Sequence, residues 1–444
     1  MKKFLIIIIA VFLYGDLYTN KNIQILNSLD IENSFINNKK LNYLYKIYSK
    51  RKKNYFLNLL ENGYDYLPLI RNQIISSKIP KELISVAFAE SYLNIDAKSN
   101  KRAIGLWQFM PVTAKRFGLR INEYVDERKD AVKSTKAAIE YLKNLHKFFG
   151  KWYLAVMAYN AGEARIVEAV VRAKVDKLCK KLGKKCKRDK TIKKYRKIIK
   201  NYQRHGRYAY APLHKLYLKL KKEPLSLNGL LKYQRGLKRQ YLPKETRKYI
   251  LKILAMSFLF NSDEFIKYSN SYLLNSGVTA SWEKVEVPPG TSLIYVSRLL
   301  HVSLKDLREH NYHLNYIFTP PYKYYIYIPY EKLAYFKLHF NPKKHFFVYK
   351  IKKGDTLGKI AKRFDTKIRL IRDFNKIGKF LHIGQKLVIP LNSVFVSYKV
   401  KKGDSLRKIA RKYGVSFNKI KKINNLKSSL IRIGEVLKIP QEFK

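Results

Sequence analysis

The chain is short of acid and short of sulfur. Only 32 aspartates and glutamates stand against 92 lysines and arginines, a formal net charge of +60 on 444 residues. Such a field biases any partner towards a polyanion. No standard DNA- or RNA-reading motif is present, and the lysines spread along the chain instead of gathering in one patch. Nucleic acid is therefore disfavoured as a partner. A negatively charged wall or membrane surface fits the charge, and so does a lysine-rich composition that merely solvates the surface. The two cysteines, Cys179 and Cys186, lie close together in a lysine-rich stretch. In an oxidising compartment they can close a short disulfide loop. A metal site would need at least one further ligand, and no metal or organic cofactor is implied. The N-terminal apolar run, Phe4 to Tyr14, is not followed by a cysteine, which argues against lipid attachment there. As a helix it would reach roughly 16 Å at 1.5 Å per residue, about half of a hydrocarbon core. With Lys2 and Lys3 before it, the expectation for residues 1–20 is a secretory signal peptide or N-terminal anchor. Gly15 offers a small residue for cleavage, but no A-x-A is present, so membrane association through an uncleaved N-terminus stays open.

What is plentiful is apolar residues, 46% of the chain, enough for packed cores in two to four domains. Residues 21–66 have helical periodicity without nameable chemistry. From Leu67 to about Phe260 the pattern is of helices broken by short loops, with Pro80 at a helix start and Gly105 and Pro111 bounding a WQFM turn. Within it, residues from about 173 to 228 are strongly basic, contain both cysteines and read as an insertion between helices. The C-terminal third is repetitive. VYKIKKGDTLGKIAKRFDTKIRLIRDFNKIGKFLHIGQKLVIP matches SYKVKKGDSLRKIARKYGVSFNKIKKINNLKSSLIRIGEVLKIP, pairing Gly354 with Gly403, Leu357 with Leu406 and Asn375 with Asn424. Each unit predicts the order β-α-α-β. A weaker third copy, Val285 to Pro329, keeps Gly290, Leu293, Leu307 and Asn311 but loses the glycine before its last strand. The tyrosines that close it, YKYYIYIPY, need only a core or strand-pairing role.

Glu90 is the candidate for chemistry. In IPKELISVAFAES, Leu83, Val86 and Ala87 precede it at helical spacing and share its face. The helix therefore carries a carboxyl group into an apolar cleft, where desolvation disfavours ionisation and raises the pKa towards the value a general acid near neutral pH needs.

These residues resemble a known family. From Leu67 to Phe260 the chain is similar to the Slt-type catalytic domain of lytic murein transglycosylases, through AFAES, AIGLWQFMPVTA, MAYNAGEARI and LPKETRKYILKILA in that order. The repeats at 346–391 and 397–441 resemble LysM modules, which bind N-acetylglucosamine-containing glycans. The resemblance implies a multidomain, mainly α protein: a lysozyme-like Slt domain over 67–270 with the basic insertion, a degenerate LysM-like module over 284–330, and two βααβ LysM modules. It implies a periplasmic, wall-associated enzyme whose partner is the glycan strand of peptidoglycan. Oligomeric state is not implied.

The resemblance also assigns roles. Glu90 takes the place of the single catalytic acid and base, and Ser99 that of the serine orienting an N-acetyl group, with a turn role as the alternative. Gln108, Phe109 and Met110 match the floor of the cleft, with core packing the alternative for the last two. Tyr159 and Asn160 match its wall, with packing and capping the alternative. Tyr249 matches a tyrosine near the carboxyl, or else packs in the core. In the LysM repeats the sugar groove is expected between the turn Gly354, Asp355, Thr356, Leu357 and Ile383, and likewise between Gly403, Asp404, Ser405, Leu406 and Ile433. Asp355 and Asp404 have helix capping as a second reading. The nearest acid following Glu90 is Asp96, beyond the helix end, so the carboxylate pair of ordinary glycosidases is not evident and a single-carboxyl mechanism is expected. The sequence departs from the family's pattern at Glu163-Ala164, at Ala103-Ile104 and in the basic insertion.

Overall fold

The computed structural model describes residues 17–441 other than 62, 64–65, 235, 238, 264–280, 342–346, 365, 376, 378–380, 391–393, 414 and 427. Most of the expected leader lies outside the described residues. Among the described residues no helix is long and apolar enough to cross a membrane. The chain forms two units, Met1–Leu119 with Ala131–Thr279, and Arg120–Asp130 with Ala280–Lys444.

The first unit is helical: α1 (Asn20–Ser28), α2 (Lys39–Lys46), α3 (Lys53–Glu61), α4 (Leu67–Ser76), α5 (Ile84–Ser91), α6 (Pro111–Arg116), α7 (Ala131–Phe149), α8 (Trp152–Ala161), α9 (Glu163–Leu182), α10 (Lys190–His205), α11 (Tyr210–Lys219), α12 (Leu227–Leu231) and α13 (Lys244–Phe260). The elements that matter most for function are α5, α8 and α13, because α13 packs against both of the others. Pro243 precedes α13, and Glu245 sits in its first turn, where a negative charge suits the helix dipole. Further along, Ile250, Ile253, Leu254, Met256 and Phe258 are fully buried. Each contributes roughly 1.5–3 kcal/mol of apolar burial, so this helix is the unit's spine. Helix α5 follows a 3₁₀ turn at Lys81–Leu83 and stops because Tyr92 and Leu93 both adopt left-handed backbone, φ 52° and 60°. Leu83 thus lies in the preceding turn, while Val86 and Ala87 are in the helix proper.

The basic segment begins inside a helix. Its first residues continue α9 without a break, because the buried face of that helix runs on through Val170, Val171, Ala173 and Val175. At the end of α9, Cys179 and Cys186 form a disulfide with their Cα atoms 5.0 Å apart. Deeper on α9, Glu168 is completely buried. It accepts hydrogen bonds from Arg165, Arg239 and Gln203, with Arg172 3.6 Å away. This cluster ties α9 to α10 and to the loop before α13.

The second unit repeats one design. Strand β1 (Trp282–Val287), helices α14 (Leu293–Leu300) and α15 (Leu304–Glu309) and β2 (Tyr324–Pro329) form the first copy, followed by α16 (Leu333–His339). The second copy is β3 (Phe347–Lys350), α17 (Leu357–Arg363), α18 (Ile368–Asn375) and β4 (Lys386–Ile389). The third is β5 (Val394–Lys399), α19 (Leu406–Lys412), α20 (Phe417–Ile423) and β6 (Val436–Gln441). In each copy the two strands pair antiparallel. One asparagine at the end of the second helix fastens each copy together. Asn311, Asn375 and Asn424 bond through the side-chain amide to both backbone groups of Tyr327, Val388 and Lys438 on the closing strand. That double bond replaces the ladder partner an edge residue lacks, which explains why the residue recurs in register.

The tyrosines of β2 do more than pack. Segment 120–130 joins this unit, with Asp126 N–H bonded to the His313 carbonyl and Asn315 N–H to that of Tyr124. Tyr324 donates to Glu127, and Tyr325 and Tyr327 both donate to Asp130, all buried. A core role alone fails to account for them, since each hydroxyl needs an acceptor once buried and segment 120–130 supplies it.

Candidate active site

Glu90 sits at the C-terminal end of α5, the last helical residue but one. Its Oε1 accepts a 2.6 Å hydrogen bond from the Tyr249 hydroxyl of α13. The residue is partly exposed, but its carboxyl is crowded on the protein side. Burial pushes it up to about 7, opposed by the Tyr249 hydrogen bond and the Lys252 charge and assisted by the charge of Glu245. The phenols of Tyr249 and Tyr159 are driven well above their ordinary value, by burial first and by Glu90 second. They stay neutral, able to donate to a carboxylate but not to compete as acids.

Residues 97–110 form a knotted loop that frames this carboxyl. Ile104 pairs with both Lys98 and Phe109 through isolated bridges, and Gly105 N–H bonds the Ala97 carbonyl. Gly105 takes φ 85°, where a side chain would be strained. Gln108 takes φ 46° and donates its amide to the carbonyls of Ala97 and Gly105. Trp107, fully buried, anchors the loop to α7 by donating from Nε1 to Thr135 at 2.8 Å. Ser91, next to Glu90, donates to the Leu106 carbonyl at 2.9 Å, which fastens the loop to the end of α5.

Of the residues expected here, the structure brings Tyr249 to Glu90 directly. Tyr159 stands behind the site, donating to the Trp107 carbonyl and packing edge-on against Phe109. Asn160 receives a hydrogen bond from Thr246 of α13. Phe109 is 2% exposed and is a packing residue, not an open floor; Met110 is 44% exposed. Ser99 is exposed and accepts from Ala103 N–H, which closes the loop's tight turn. Asp96 pairs with Lys98. Sequence reasoning missed Ser91, Lys252 and Glu245. The last two flank Tyr249 on one face of α13, at spacings of three and four, and that pattern was the available signal.

In the second and third βααβ copies the candidate glycan loops are open. Gly354 and Gly403 turn with φ 83° and 84° and are exposed, as are Thr356 and Ser405; Ile383 and Ile433 are 71% and 70% exposed. Leu357 is half-buried, whereas Leu406 is 1% exposed and belongs to the core of its copy. Asp355 and Asp404 do not cap the helices. Thr356 and Ser405, one residue later, accept from Lys359 and Lys408 N–H in that role. The aspartates instead accept from the hydroxyls of Tyr349 and Tyr398 and from Lys352 and Lys401 N–H, fixing the turn's shape. In the first copy the equivalent loops are sewn together. Gly290 N–H bonds Pro320, Leu293 N–H bonds Ile317, Thr319 N–H bonds Thr291, and Thr291 N–H bonds the Thr319 hydroxyl. The main-chain groups of these two loops are bonded to each other.

Residues 70–178 match the transglycosylase SLT domain family, and residues 349–390 and 398–440 match the LysM domain family. The chain therefore carries an SLT domain and two LysM domains. It is 35% identical over 140 residues to membrane-bound lytic murein transglycosylase D of Escherichia coli (strain K12), covering 31% of this chain and 30% of that protein. It is 34% identical over 105 residues to peptidoglycan transglycosylase gp16 of Escherichia phage T7, covering 23% of this chain and 8% of that one. The chain thus spans less than a third of the length of either relative. Glu90 and the loop that frames it lie inside the SLT match, while Tyr249 and Lys252 lie beyond it.

Proposed function

We propose that this chain is a lytic transglycosylase of peptidoglycan, cutting the β-1,4 bond between N-acetylmuramic acid and N-acetylglucosamine and leaving a 1,6-anhydro-muramyl end. The observation that carries this reading is a single carboxyl held at about 7 with a neutral phenol on one oxygen. Glu90 starts protonated and gives its proton to the glycosidic oxygen as the bond to C1 breaks. The substrate's own acetamido oxygen supports C1 while the leaving sugar departs. The Glu90 carboxylate, with Tyr249 donating to it, then takes the proton of the C6 hydroxyl as that oxygen closes on C1. The carboxyl is restored and no water is consumed. Intramolecular closure of this kind is favoured by effective molarity, about 7–11 kcal/mol in well-oriented cases. One group serving as acid and then base needs a pKa near the working pH.

In this reading Gln108, Met110, Tyr159 and Asn160 shape the cleft and Ser99 lies at its rim. The two LysM domains hold the glycan through the exposed turns at Gly354 and Gly403 and the loops at Ile383 and Ile433. Weak modules in tandem raise the local concentration of substrate. The first copy, with its loops bonded shut, serves as a spacer. The basic surface adds salt-sensitive attraction to the carboxylates of the wall. The setting is the periplasm, with the N-terminal apolar run as signal or anchor.

Glu245 favours a second reading. It is a further carboxylate whose charge acts on Glu90, and a two-carboxyl hydrolase would use it to activate water. Mass spectrometry of muropeptides released from purified peptidoglycan separates the two. Anhydro-muramyl ends support the transglycosylase, and reducing ends make the protein a muramidase. Binding to the wall with no release would leave only the LysM function.

A further inference from the structure

Helix α5 ends in an unusual way for a helix that carries the reacting group. Two consecutive non-glycine residues in left-handed backbone stop it at once, and the carbonyls of its last turn need partners from elsewhere. Tyr92 N–H takes Phe88, Asn94 N–H takes Ser91, and the Ser91 hydroxyl reaches back to Ala87. The carbonyl of Ala89, beside Glu90, accepts a 2.7 Å hydrogen bond from Lys252 Nζ, 163 positions further along. The same ammonium lies 4.1 Å from the centre of the Tyr92 ring. From Tyr249 to Phe260, Lys252 is the one charged residue of α13 and the one that is not buried. It sits three residues after Tyr249, one helical turn along the same face. One turn of α13 thus presents a phenol to the Glu90 carboxyl and an ammonium to the peptide just before it.

We propose that Lys252 is a positioning residue for Glu90: it locks the final turn of α5 in place and supplies a cation that favours the carboxylate as it forms in the first half of the reaction. This inference rests on the reading of Glu90 as acid and base. The titratable and charged groups that act on Glu90 are Tyr249, Lys252 and Glu245 from α13, and Tyr159 from α8. Of these only Lys252 is positive, and it opposes both the burial and the Glu245 charge. Without it nothing but the Tyr249 hydrogen bond would draw the proton off, and the carboxyl would become a poorer acid, slower to give its proton to the glycosidic oxygen. The ring of Tyr92 and the bond to a carbonyl near the helix C-terminus both hold the ammonium in place.

The test uses the full chain with Lys252→Met, Lys252→Gln and Lys252→Arg, measuring release of soluble muropeptides from purified peptidoglycan as a function of pH. Activity needs Glu90 protonated at the start, so the rate falls as pH rises through its pKa. Loss of the ammonium moves that alkaline limb to higher pH by about half to one unit, and the rate at the optimum falls about ten-fold. Arginine keeps the limb where the wild type has it. A purely structural lysine would lower the rate and leave the limb still. An unmoved limb in Lys252→Gln, the variant that retains a donor and the polar fit, overturns the proposal even where Lys252→Met does not fold. Wild-type protein that releases nothing overturns the underlying reading instead, and is seen without any variant.

Discussion

Glu90 and Glu168 of the helical unit both hold a carboxyl against the protein interior, and the fold treats them in opposite ways. Glu168 lies against Arg165, Arg172 and Arg239 and takes a further bond from Gln203. Burial works to raise its pKa, but the Arg239 and Gln203 hydrogen bonds and the arginine charges outweigh it and hold the carboxyl below its usual range. Glu90 has a neutral phenol and a lysine whose hydrogen bond goes to a neighbouring carbonyl, and burial wins. Burial alone does not make an acid. What separates a structural carboxylate from a reactive one here is the number of cations that touch its oxygens.

The contrast can be broken first at Glu90 itself. Glu90→Gln removes the proton that the chemistry needs, and muropeptide release is expected to fall by about 10²–10⁴-fold while sedimentation with peptidoglycan persists. Glu168→Gln should do the reverse. It leaves arginines without their buried partner, and chemical denaturation is expected to show a loss of about 3–5 kcal/mol, with the pH dependence of any remaining activity unchanged. A third test uses stability against pH. The folded pKa of Glu90 lies above its unfolded value of about 4.5, so the native state holds the extra proton between the two. Its contribution is complete below pH 4.5 and is lost as pH rises to about 7. Glu90→Gln should therefore become more stable than wild type across that window, by at most about 3 kcal/mol. A constant difference would mean that the carboxyl titrates normally. Tyr249→Phe should cost about ten-fold in release and move the alkaline limb upward, since the lost hydrogen bond favoured the carboxylate. The smallest change belongs to Glu245→Gln, expected to stay within about two-fold of wild type; a collapse of activity would favour the hydrolytic reading.

Much of this was legible in the sequence, for identifiable reasons. Glu90 announces itself because its helix is otherwise apolar, and the βααβ repeats because their glycines and asparagines recur in register. Tyr249 was visible only through the resemblance of LPKETRKYILKILA, since nothing local ties a tyrosine to a carboxyl 159 positions away. Lys252 was signalled only by its spacing of three from Tyr249, and the Glu168 cluster not at all, because their partners lie in helix pairings that one-dimensional periodicity does not encode. The first βααβ copy shows the same limit. Its missing glycine signalled a change in the loop, yet the hydrogen bonds that close it, and the acceptors that segment 120–130 brings to Tyr324, Tyr325 and Tyr327, join residues up to 197 positions apart. The basic stretch is the opposite case: its change in composition begins inside a helix whose buried face runs on through Val175.

The most direct measurement is titration of the Glu90 carboxyl by infrared difference spectroscopy, wild type against Glu90→Gln, from pH 3 to 9. A protonated carboxyl band that disappears with a midpoint near 7 is the predicted result. A midpoint near the ordinary 4.5 would contradict the account, leaving Glu90 ionised at neutral pH and without the proton its proposed chemistry requires.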